Sequence, residues 1–183
     1  MGVPCNCMDV ICTISKLCFA TLMPTSVDIE TTIPSYLTAW RSSELAMAAK
    51  QQITRQWWDE RRQKFDLFIS DAVLLEASGG DPAAAKRRLE VLEGIPVLSP
   101  LAAVDEIVLA LIDRLSLPDR ALTDAAHIAI CIVHGIDYLL TWNCTHIANA
   151  MFQPIIRGVC DDFDFLTPVI CTPDQLMGDE NGY

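Results

Sequence analysis

Apolar positions in this chain fall into two rhythms: short runs with a period of two, and longer stretches with the 3, 4 spacing of a helix face. In Ser26–Glu30 (SVDIE), Val27 and Ile29 alternate with Asp28 and Glu30, which predicts a strand with one apolar side and Asp28 facing solvent. Thr31, Thr32 and Pro34 begin a turn or helix. A long helix is predicted from about Ser42 to Lys64, with Leu45, Ala48, Ala49, Ile53 and Trp57 on its inner side. Phe65–Ser70 (FDLFIS) reads as a second strand, and Ser70 or Asp71 caps a helix through Val73, Leu74 and Ala77 that stops at Gly79 and Gly80. Asp81 and Pro82 restart a helix over Ala83–Glu93. Ile95–Ser99 is a third strand, Pro100 opens a helix to about Leu115, and Leu117–Arg120 is a loop. Thr123 is placed to cap a helix whose inner face is Ala125, Ile128, Ala129 and Ile132, ending at Gly135. Tyr138–Leu140 reads as a buried strand, Asn143–Met151 as a helix, Pro154–Asp161 as a turn or helix, Val169–Cys171 as a last strand and Pro173–Met177 as a helical turn. Strands alternating with helices need crossover connections. The expected architecture is therefore α/β, a three-layer α/β/α sandwich with a mostly parallel central sheet.

At 183 residues the chain has the size of one domain with a substantial core. It divides into an N-terminal tail at 1–24, a domain at 25–178 and a C-terminal tail at 179–183. With 51% hydrophobic and 20% charged residues it groups with compact rather than disordered chains. Its formal net charge of -11 argues against coating nucleic acid by bulk electrostatics and leaves any phosphate chain to local basic clusters. The candidates are Arg41, Arg55, Arg61, Arg62 and Lys64 around the long helix, and Lys86, Arg87 and Arg88 on the next; either cluster also reads as an ordinary solvated face. Val10–Met23 is apolar but broken by Lys16, falls short of the roughly 20 residues of a membrane span and lacks a basic leader, so a cytoplasmic protein without a membrane partner is expected. Half of the 8 cysteines crowd the first eighteen residues and no CxxC pair occurs, which fits reduced thiols rather than disulfides or a zinc site. Of the adjacent Trp57 and Trp58, one is expected to face the core and the other to mark a partner surface.

Four polar residues fall at or just beyond a strand's carboxyl end or on the helix following it, the side where open α/β sheets place their sites: Glu30, Glu76, Asp124 and Asn143. Three carboxylates in one crevice repel one another unless a cation lies among them, and oxygen ligands suit Mg²⁺ or Mn²⁺. Taken singly, each has another reading. Glu76 and Asp124 also suit a helix surface or cap, and Asn143 suits the N-cap of the helix after it.

In that order and context the residues resemble the PIN domain, in particular the VapC-like toxins of prokaryotic toxin–antitoxin pairs. The likeness spans roughly Val27–Leu176 and rests on Ile29-Glu30-Thr31-Thr32, on Leu74-Leu75-Glu76-Ala77-Ser78, on Thr123-Asp124-Ala125-Ala126-His127-Ile128-Ala129, and on Thr141-Trp142-Asn143. The resemblance implies a Mg²⁺- or Mn²⁺-dependent ribonuclease whose metal and catalytic residues are Glu30, Glu76, Asp124 and Asn143. It also implies an RNA substrate, an antitoxin partner that covers the site, and a homodimer. Two positions depart from the pattern: Glu30 is one methylene longer than the usual aspartate, and Asn143 is neutral where the pattern has an acid. The second departure motivates an alternative, a degenerate PIN fold kept as a non-catalytic binding module. Thr31 and Thr141 are candidate water or phosphate partners, and Trp142 either stacks on a base or plugs the sheet edge. Asp28 shares a strand face with Glu30 and is a lesser ligand candidate; His127 and His146 read chiefly as packing or rim residues.

Overall fold

The computed structural model describes residues 25–99, 101–116, 118 and 121–178; both tails, Pro100 and most of the Leu117–Arg120 loop lie outside the described residues. Five strands, β1 (Thr25–Ile29), β2 (Phe65–Ser70), β3 (Val97–Leu98), β4 (Tyr138–Leu140) and β5 (Val169–Cys171), form one sheet in the order β3-β2-β1-β4-β5. Every pairing is parallel, with Val27 against Leu67 on one side and Tyr138 on the other. The chain steps outward from β1 to β2 and β3, then returns to build β4 and β5 on the opposite flank. The order therefore reverses between β1 and β4, and a crevice opens there at the carboxyl ends.

The helices are α1 (Thr32–Thr38), α2 (Leu45–Glu60), α3 (Asp71–Ala77), α4 (Pro82–Leu92), α5 (Ala102–Leu115), α6 (Leu122–His134) and α7 (Gln153–Asp162). One core joins α5, α6 and α7 through Ile107, Leu111, Ile128, Ile132 and Ile156. The other packs Val27, Ile29 and Leu140 against Ile33, Trp57 and Val73. With both faces covered, the polar side of β1 is buried as fully as its apolar side. Asp28 is accordingly at 0% exposure, under α6, and not in solvent as its alternation suggested.

Local signals account for most boundaries. Ser70 caps α3 by accepting from the Val73 N–H, Asp81 caps α4 by accepting from the Ala84 N–H, and Gly135 closes α6 in the left-handed conformation with φ 63°. Thr123 does not cap α6, which begins one residue earlier at Leu122, so Thr123 lies within its first turn. The predicted Asn143–Met151 helix is instead a run of turns: the Asn143 side chain accepts from the His146 N–H and bends the backbone before a helix is established. The third strand shrinks to Val97–Leu98.

The largest correction is in α2. Its inner face is Gln51, Thr54, Trp57 and Trp58, while Leu45 stands 86% exposed. Polar residues can face inward here because each is satisfied: Gln51 accepts from the Ser42 N–H and donates to the Trp40 carbonyl, and Thr54 donates to the Lys50 carbonyl. Both tryptophans are buried, Trp57 stacked on Phe65 and Trp58 beneath the Arg62 guanidinium at 4.8 Å. The chain covers its second tryptophan itself, so that residue is not free to mark a partner surface. Among the described residues no helix is long and apolar enough to cross a membrane.

Candidate active site

Glu30 follows β1 into the crevice, almost fully buried. Its Oε2 accepts from the Thr32 backbone N–H at 3.0 Å, from the Thr32 hydroxyl and from the Thr141 hydroxyl at 2.7 Å. Three donors on one oxygen fix the direction of the carboxylate and leave Oε1 outside these bonds. Glu76 arrives from the last turn of α3, and its Oε2 accepts from the Thr31 hydroxyl and lies 3.1 Å from His127 Nε2. The His127 bond holds the Glu76 carboxyl below its ordinary value; partial burial opposes this and the Thr31 bond adds to it. His127 is buried in the middle of α6, with Nδ1 lacking a hydrogen-bond partner. Burial alone would lower its pKa, but the Glu76 bond and the charges of Glu30, Glu76 and Asp28 outweigh it and raise the ring above its usual value.

One donor atom from each of Glu30, Glu76 and His127 falls within 4.8 Å of the others. Donors on a single ion at about 2.1 Å are separated by about 3 Å when adjacent and about 4.2 Å when opposite. The cluster thus fits one cation after a slight contraction.

Asp124, in the first turn of α6, belongs to a second group. Its Oδ1 accepts from the Asn143 amide at 2.8 Å, and its Oδ2 lies 2.8 Å from His146 Nδ1. Asn143 is held at both ends, since its Oδ1 accepts from the His146 N–H and its backbone N–H donates to the Thr141 hydroxyl at 2.9 Å. Thr141 therefore ties the two groups together: the same hydroxyl donates to Glu30 and accepts from Asn143.

The PIN domain family model matches residues 29–143, a span that opens beside Glu30 and ends on Asn143. The chain belongs to the PIN domain family. Its structure is similar to that of VapC20 from Mycobacterium tuberculosis, a Sarcin-Ricin loop cleaving toxin, at 17% identity and a TM-score of 0.52, over 68% of this chain and 95% of that one. VapBC2 from Rickettsia felis, solved bound to a promoter DNA fragment, aligns at 11% identity and a TM-score of 0.47, over 81% of this chain and 98% of the other. A search of the curated proteins finds no match.

Within this PIN domain, the four residues singled out from the sequence share one crevice but do not form one cluster. Glu30 and Glu76 meet, Asp124 and Asn143 meet, and the third member beside the glutamates is His127. The available signal for His127 was its place three residues after Asp124 on one helix, and that spacing says nothing about α3 bringing Glu76 alongside. His146 likewise follows Asn143 by three residues, a spacing that an Asx-type turn makes meaningful.

Thr31 and Thr141 spend their hydroxyls on the glutamates. Trp142 is buried, its indole N–H donating to Thr54 at 2.8 Å, its ring stacked on Tyr36 and lying 5.2 Å from the Lys50 ammonium. Of the two roles foreseen for it, the plug describes this position.

The basic clusters are largely committed elsewhere. Arg55 caps the carbonyls of Leu37 and Ala39, Arg61 bonds Gly178, and Arg88 bonds the carbonyls of Ala77 and Gly79. Arg62 and Arg87 lie over Trp58 and Trp40. Helix ends and indole rings engage these guanidinium groups.

Proposed function

We propose that this protein is a metal-dependent endoribonuclease of PIN type, and that it serves as the toxin of a type II toxin–antitoxin pair in the cytoplasm. The observation that carries the reading is the pairing of Glu30 with Glu76 at the switch point of a PIN fold, with Asp124 and Asn143 tied to them through Thr141. Glu30, Glu76, Asp124 and Asn143 are assigned to the Mg²⁺ or Mn²⁺ ion. When bound, such an ion makes a water nucleophilic near neutral pH and neutralises charge on a phosphodiester.

The chain's own groups do the rest. Thr32 and Thr141 hold Glu30 in one orientation, so its free oxygen points consistently without loss of rotamer freedom on binding. Thr31 and His127 do the same for Glu76. Asp124 holds His146 by Nδ1 and so fixes the orientation of the ring. The cognate antitoxin and a homodimer are proposed on the family resemblance alone.

Purified protein with Mn²⁺ or Mg²⁺ is expected to cleave single-stranded RNA, and Asp124→Ala to abolish cleavage. Equal activity in the variant would sink the assignment. A second reading, a non-catalytic PIN module, is favoured by one contact: the Asn143 amide satisfies Asp124 without a cation. Calorimetric titration separates the two, since the module reading requires that neither Mn²⁺ nor Mg²⁺ binds.

A further inference from the structure

We infer that His127 is a further, nitrogen ligand of the bound ion, so that the centre adds one imidazole to its oxygen ligands and takes Mn²⁺ in preference to Mg²⁺. This rests on the metal-dependent reading above and goes past it, because the four residues assigned there offer oxygen alone.

Position is the first argument. His127 Nε2 lies 3.1 Å from Glu76 Oε2, about the separation of two adjacent donors on one ion. It also falls inside the 4.8 Å cluster with Glu30. A contact that is a hydrogen bond without metal has the spacing of a shared ion with it.

Rigidity is the second. The His127 side chain is 1% exposed and sits mid-helix on α6, so its nitrogen is presented at fixed depth. A buried imidazole normally uses both nitrogens. Here Nδ1 has no partner, and neither does Oδ1 of Asp28, a carboxylate close enough for its charge to act on the ring. An ion on Nε2 places the ring proton on Nδ1, and the neighbouring negative charge of Asp28 favours that tautomer. The Cys131 thiol, one helical turn beyond His127, donates to Asp28 Oδ2 at 3.2 Å and holds the carboxylate in place.

Donor chemistry is the third. Asp124 is bonded to Asn143 and His146, whereas the donor that lies directly beside the two glutamates is the imidazole. Mg²⁺ favours oxygen and keeps its waters, whereas imidazole suits the first-row transition ions.

The test uses full-length protein with the metal alone. Mn²⁺-loaded protein, prepared with unlabelled and with ¹⁵N-labelled histidine, is read by pulsed EPR, and affinities for Mn²⁺ and Mg²⁺ are measured by titration. The expected result is a histidine nitrogen coupling that changes with the label, persists in His146→Gln and disappears in His127→Gln. His127→Gln should also weaken Mn²⁺ binding by about tenfold or more, while Mg²⁺ binding changes much less. Because the chain has only 3 histidines and His134 is bonded to the Ser99 carbonyl at the far end of α6, the wild-type and His146→Gln spectra decide the matter even if His127→Gln fails to fold. Bound Mn²⁺ with no histidine coupling, or with coupling lost in His146→Gln, overturns the inference and leaves the nuclease reading intact. Failure to bind either ion overturns both.

Discussion

Asn143 donates its side-chain amide to Asp124 at 2.8 Å, where the PIN pattern would set a second carboxylate against the first. The amide turns a repulsive pair into a hydrogen bond, and the crevice is stable without a counter-ion at that point.

Asn143→Asp should reverse this. In metal-free protein the loss of the donor and the new repulsion cost about 1–3 kcal/mol, which for a chain of this length lowers Tm by about 2–4 °C per kcal/mol. Mn²⁺ should then raise the Tm of the variant by more than it raises that of wild type. Differential scanning calorimetry with and without Mn²⁺ reads both effects; an unchanged metal-free Tm would mean that the pair is not formed in solution.

Asp28 gives the stability of the metal-free protein a distinctive pH dependence. Burial pushes its carboxyl from 3.8 up to about 6, against the opposing Cys131 hydrogen bond. A raised folded pKa means that the folded state binds the proton more tightly, so the contribution of Asp28 to stability is fullest below about pH 4 and is lost as pH rises through about 6. The shift corresponds to on the order of 3 kcal/mol. Asp28→Asn should therefore be the more stable protein at pH 7 and converge with wild type near pH 4, as followed by urea denaturation across that range.

Thr54 is the sole hydrogen-bond partner of the Trp142 indole N–H among the described residues. Thr54→Val keeps the shape and strands that donor in the core. The expected cost is about 1–3 kcal/mol, seen as a lower urea midpoint with an unchanged slope. The neighbouring Arg55→Ala should also destabilise, by uncapping the carbonyls of Leu37 and Ala39, without weakening RNA binding.

Thiol chemistry should follow burial. Cys144 is exposed, whereas Cys131, Cys160 and Cys171 are buried, with burial raising all three thiols and taking Cys171 to about 12. A maleimide pulse on native protein followed by mass spectrometry should label Cys144 and spare Cys131, Cys160 and Cys171 until denaturant is added. Labelling of Cys131 in the folded protein would contradict its place behind Asp28.

The parallel sheet was legible from strands alternating with helices, and the caps at Ser70 and Asp81 because each depends on a few neighbouring residues; the order of strands within the sheet was not. Alternation in Ser26–Glu30 gave the strand correctly but misread Asp28, since period two tells which residues share a face and not whether that face meets water. In α2 the polar residues Gln51 and Thr54 lie inward because partners from distant segments satisfy them. Trp58 is buried because Arg62 folds over it. Hydropathy along one helix contains neither fact. Glu30 and Asn143 were singled out by their places after strands, and Glu76 and Asp124 by their places on helices. Their division into two groups was not legible, because it is decided by which donors reach which oxygen.

The Thr141 hydroxyl reaches Glu30 across 111 residues of sequence, and only after β4 has docked on β1. Closing so long a loop is among the slower events in forming a parallel sheet. An emerging polypeptide that has not yet delivered β4 holds Glu30 and Glu76 without their connection to Asp124. A chain that ends before β4 lacks Thr141 and Asn143, and with them the bonds that tie Glu30 to Asp124.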